Sequence, residues 1–103
     1  MTTGYYTSSA QVPLSDPGRV LHRLCKHFSH KVKAQWEPAQ GFVDFAVGTA
    51  ILRATPHALC LECEAGSRTE LAEVEQTLER HLGPMSGLPD DEIVLVWERP
   101  VSE

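Results

Sequence analysis

Along the chain, apolar residues either alternate with polar ones or recur three and four positions apart, and the changes of period mark out short elements. Residues 4–13 alternate loosely around Tyr and Thr and predict a first strand. Ser15-Asp16-Pro17 signals a helix start: Asp16 can cap free N–H groups, and Pro17 fits the first helical position, where no N–H is needed. The spacing predicts a helix from about Pro17 to about His30. Val32, Ala34 and Trp36 then alternate with Lys33 and Gln35. Pro38-Ala39-Gln40-Gly41 predicts a turn, Gly41 to Val47 a strand, and Gly48 a tight hairpin into Thr49 to Ala54.

Thr55-Pro56-His57 turns the chain again before a strand from Ala58 to Glu64. There Leu59, Leu61 and Cys63 share one face, and Cys60, Glu62 and Glu64 the other. Gly66-Ser67-Arg68-Thr69-Glu70 reads as a capping box, with Ser67 capping and Glu70 able to reach back. The second helix should run to about His81. Leu71, Val74, Leu78 and Leu82 form its apolar stripe, and Glu70, Glu73, Gln76, Glu79 and Arg80 are mostly solvated. Gly83-Pro84 should end it, residues 85–91 should form a loop, and Glu92 to Glu98 a last strand.

The expected fold is therefore α+β. It is a mainly antiparallel sheet of five or six strands, with two helices packed on one face, in the order β-α-β-β-β-β-α-β. With 103 residues and 42% hydrophobic composition, residues 1–103 are expected to form a single domain. No apolar run is long enough for a membrane helix, and Met-Thr-Thr-Gly-Tyr-Tyr lacks the pattern of a signal peptide, so a cytoplasmic location is expected. Three cysteines, an odd count, then suggest reduced thiols rather than a disulfide scaffold.

Charge changes the picture further. The net charge of −5 conceals a split. Asp16 to Trp36 holds Arg19, Arg23, Lys26, Lys31 and Lys33 against Asp16 alone. From His57 onward there are three cations against eleven anions. An acidic chain with one basic segment is a poor nucleic-acid binder, because phosphate recognition needs extended positive potential.

That basic segment is RVLHRLCKHFSHK, residues 19–31, with three of the five histidines. At 100° per residue, Val20, Leu21, Leu24, Cys25 and Phe28 gather on one side, and Arg19, His22, Arg23, Lys26 and His30 on the other, with His27 at the boundary. An ordinary wet helix face accounts for this pattern, and cations near the end suit the helix dipole. Yet a face with no carboxylate after Asp16 repels itself unless an anion sits on it. Arg19, His22, Arg23, Lys26 and His30 are thus candidate ligand-binding residues. His27 and His30, one turn apart, are candidate metal ligands, with a further ligand from elsewhere such as His57 or His81. Neighbouring cations oppose that reading.

The remaining motifs are weaker. Cys60-Leu61-Glu62-Cys63 matches C-x-x-C, but residues three apart in a strand face opposite ways. No Gly-rich phosphate loop, G-x-S-x-G elbow or H-E-x-x-H appears, and no nucleophile–base pair is visible. Trp36 and Trp97 suit a core or an interface better than stacking platforms.

The L-C-K-H-x-x-H-K string within residues 19–31, and Gly41-Phe42-Val43-Asp44-Phe45, resemble the bacterial family known as domain of unknown function 2218. The likeness extends from about Val12 to Trp97, and residues 84–91 depart from it. The resemblance implies a recurrent compact bacterial domain, loosely associated with iron and siderophore genes, and transfers no activity or residue role. The expected function is a non-enzymatic binding or accessory protein whose basic first helix contacts an acidic partner or an anionic ligand. No cofactor is expected. The alternative is metal- or iron/siderophore-related ligand handling by first-helix histidines, with zinc or iron. Nucleic acid and membrane are not expected partners. Phe42 and Ile51 fall out of phase with Val43, Phe45, Ala50 and Leu52, as Val94 and Val96 do with Ile93, Leu95 and Trp97. Apolar residues on both sheet faces predict a homodimer through the second face, or an apolar ligand held there.

Overall fold

The computed structural model describes residues 6–86 and 95–98, and side chains for all of these except 83–86. Its elements are β1 (Tyr6–Pro13), α1 (Pro17–Phe28), β2 (Lys33–Glu37), β3 (Gln40–Asp44), β4 (Gly48–Ala54), β5 (Ala58–Ala65) and α2 (Arg68–Ser86). The five strands form one sheet in the order β1-β5-β4-β3-β2, and every neighbouring pair is antiparallel. The chain folds as the α+β arrangement that its periodicity predicts.

Register explains which face is covered. Val12–Leu59, Ala10–Leu61 and Leu61–Leu52 are paired positions, as are Cys63–Ala50, Ala50–Val43 and Val43–Ala34. All point to one side of the sheet. On that side α1 lies over β2 and β3, and α2 over β5 and β4. Leu21, Leu24, Leu52, Leu59, Leu61, Leu71, Leu78 and Leu82 are fully buried between the layers. Burying each such side chain contributes roughly 1.5–3 kcal/mol.

Both helices start as their caps dictate. The Asp16 carboxylate accepts from the Arg19 N–H at 3.3 Å, with Pro17 in the first turn. Ser67 Oγ accepts from the Glu70 N–H at 3.1 Å. α1 stops at Phe28 rather than His30, and Ser29 closes it by donating its N–H to Cys25. α2 does not stop at Gly83-Pro84 but continues to Ser86. Pro84 lacks the N–H that would reach the Arg80 carbonyl, and Arg80 lies on the exposed side, where water can satisfy that oxygen.

The β3–β4 turn also differs from expectation. The strand ends at Asp44, and the positive φ of 74° falls on Ala46, not on Gly48. Asp44 Oδ1 accepts from the Ala46 N–H at 3.0 Å and Phe45 donates to the Gly48 carbonyl at 2.8 Å, which holds the turn shut. Gly48 serves packing instead: a Cβ there would stand 2.5 Å from the Glu64 carbonyl and 2.8 Å from Val74. Gly41 lies in β3, as expected, and the strand starts one residue earlier, at Gln40. A Cβ on Gly41 would meet Cys25 Sγ at 2.5 Å, so the glycine lets α1 sit close on the sheet.

The expected last strand falls mostly outside the described residues. Within them, Glu98 makes one antiparallel bridge with Ser9 on the free edge of β1, and Leu95 and Trp97 pack against the core. Ile93 and Val94 lie outside the described residues. No helix among the described residues is long and apolar enough to cross a membrane.

Candidate functional site

α1 presents the two faces its spacing predicts. Val20, Leu21, Leu24, Cys25 and Phe28 are buried, and Arg19, His22, Arg23, Lys26 and His27 are exposed; His30, also exposed, lies in the turn after the helix and not on its face. Among the described residues the ion pair is Arg53–Glu62 at 2.6 Å, far from this face on β4 and β5, and none involves Arg19, Arg23 or Lys26. Their charge therefore stands unpaired by any of the described residues.

Two side chains on this face have partners that the helix alone does not reveal. Trp36, on β2, donates its Nε1–H to His22 Nδ1 at 3.0 Å, with the rings edge-on at 5.8 Å. The bond requires a lone pair on Nδ1, so the neutral ring carries its proton on Nε2. His27 meets α2: its ring centroid lies 4.9 Å from that of His81 and 5.7 Å from that of Phe28. Phe28 in turn packs edge-on against Phe45 at 5.0 Å and His81 at 5.1 Å. His81 donates from Nδ1 to the Thr77 carbonyl at 2.8 Å. His30 has no ring contact with His27, and no three metal-ligating side chains gather among the described residues.

Two of the three cysteines are core residues. Cys25 and Cys63 are buried, and all three thiols are free. Burial pushes the Cys25 thiol up to about 11. Burial first, and the Glu75 carboxylate second, push Cys63 up to about 12. Neither is a thiolate at neutral pH, which removes the reactive form. Cys60 and Cys63 also face opposite sides of β5.

Glu75 is a buried carboxylate that residue type does not single out among the glutamates of α2. It is 4% exposed, on the sheet-facing side of α2. The signal was available: position 75 lies four after Leu71 and three before Leu78, on the apolar stripe.

Neither described helix packs on the sheet's other face. A groove of about 270 Å³ there is lined by residues including Thr7, Ser9, Thr49, Ile51, Glu62 and Glu64. Ile51 pairs in register with Phe42, which is 42% exposed. Glutamates and hydroxyl-bearing residues make up most of its lining, yet the surface they show to the groove is more apolar than polar, through Ile51 and the aliphatic parts of their side chains.

Comparison with solved structures matches the chain to PA4090 from Pseudomonas aeruginosa, determined by NMR, with a TM-score of 0.76 and 26% identity over 90% of this chain and 95% of that one. No curated protein matches. A family model described as an uncharacterised protein conserved in bacteria matches residues 9–98, from the middle of β1 to the bridge at Glu98. The chain therefore belongs to the bacterial family of domain of unknown function 2218, which its first-helix string resembles.

Proposed function

We propose that the protein is a non-enzymatic binding domain whose α1 face engages an acidic protein surface. One observation carries the reading: Arg19, Arg23 and Lys26 are exposed, share one face and have no ion pair with the described residues of their own chain. These cations spread over about 10 Å of helix, by the 1.5 Å rise. A row of that length on a convex helix suits several partner carboxylates better than one small anion. Neither buried thiol offers a nucleophile, in keeping with binding rather than catalysis.

Such an interface weakens with salt, because exposed charge pairs are screened within about 8 Å at physiological ionic strength. The test is capture of partners from a bacterial lysate, comparing the native chain with the double variant Arg23→Glu, Lys26→Glu. Partners should be retained at low salt, released as salt rises, and lost with the variant. The variant's thermal stability should stay within about 0.5 kcal/mol of the native value, since both side chains are exposed. An unchanged set of partners would sink the proposal. Loss of inorganic phosphate or citrate binding instead would assign the face to a small anion.

A further inference from the structure

We infer that His27 and His81 form a two-histidine site for a divalent transition-metal ion at the seam between α1 and α2. The two rings come from different helices, 54 positions apart in the chain, and the fold brings their centroids to 4.9 Å. That separation has a chemical meaning. A ligating nitrogen lies about 1.15 Å from its ring centroid and about 2.0–2.1 Å from a zinc ion. Two rings on one ion then stand about 4.5 Å apart at a right angle, and about 5.2 Å apart at the tetrahedral angle. The observed distance falls between these limits.

The second observation is the tautomer. His81 donates from Nδ1 to the Thr77 carbonyl at 2.8 Å. This leaves the lone pair on Nε2, and a ligating histidine commonly has its other nitrogen held in this way. The His81 ring is further braced by Phe28, which is itself buried against Phe45. His27 is exposed, so an ion can reach the pair from solvent. Two imidazoles and no thiolate suit zinc, copper(II) or nickel(II), and water completes the coordination. His30 is not part of the site. The proposal uses none of Arg19, Arg23 or Lys26, so it stands or falls apart from the acidic-partner reading.

The test uses the full chain without a tag, titrated with zinc ion alone, and followed by imidazole nitrogen–proton NMR spectra. The His27 and His81 rings should shift together, while His22, His30 and His57 stay in place. His27→Gln and His81→Gln should each weaken zinc binding by at least about tenfold, as loss of even an outer-shell partner typically does. His30→Ala should leave it unchanged. Amide spectra establish that each variant is folded, and the native chain's ring shifts decide the matter if His81→Gln unfolds. No ring shift at millimolar zinc, or joint shifts of His27 and His30 without His81, would overturn the inference.

Discussion

α1 and α2 solve the same packing problem and then diverge. Each lays an apolar stripe on the same sheet face: Val20, Leu21, Leu24 and Phe28 from one, Leu71, Val74, Leu78 and Leu82 from the other. Their outward faces differ. α1 shows only cations and histidines, whereas α2 mixes Glu73, Gln76, Glu79 and Arg80. α2 also uses its polar residues internally: Glu79 accepts the Trp97 Nε1–H at 2.6 Å, and Glu75 is buried. The inner faces answer to the sheet, which demands the same thing of both helices. Glu79 ties the outer face of α2 to its own chain, and His22 and His27 do the same for α1, but the α1 cations Arg19, Arg23 and Lys26 form no ion pair with the described residues.

The comparison can be broken first at the core. Leu24→Ala and Leu78→Ala should each cost about 2–5 kcal/mol, because both sites are about as buried as each other and neither can collapse freely. Chemical denaturation checks this, and a large inequality between the two would show that the helices are not equivalent supports.

Alkaline pH sharpens the difference beneath them. Cys63 lies under α2 near Glu75, and its thiol is raised to about 12 from an ordinary value of 9.0. A raised acid is protonated in the folded chain when the unfolded chain has lost its proton, so its contribution is complete below about pH 9 and is lost as pH climbs toward 12. Stability should fall by up to about 1.4 kcal/mol per pH unit from this group in that window. Cys63→Ala should flatten the slope, as read by denaturant midpoints at successive pH values.

The smallest effect is at the caps. Asp16→Ala and Ser67→Ala should each cost about 1 kcal/mol, seen as a lower thermal midpoint. Ser67 holds its N–H at 3.1 Å and Asp16 at 3.3 Å, so Ser67→Ala is expected to be the larger loss.

Much of this was legible in the chain. The helix stripes, the two-residue alternation in β5 and the capping residues follow from local periodicity and local hydrogen bonding, and the structure places them accordingly. The helix ends and the β3–β4 turn were less legible. Gly83-Pro84 looks like a stop and Gly48 like a turn, but the continuing α2 and the close approach of β5 decide otherwise.

The sequence by itself determined that an antiparallel sheet would carry two amphipathic helices, and that Arg19, His22, Arg23 and Lys26 would share a face of the first, though not that the helix would stop short of His30. A regular element fixes the angles between its own residues, so its faces can be read from spacing alone. Only the tertiary structure decided that His22 meets Trp36, that His27 meets His81 rather than His30, and that Glu75 lies beneath α2 near Cys63. Those neighbours come from different elements, and their meeting depends on strand order, register and the close seating of α1 on Gly41, which no local period encodes.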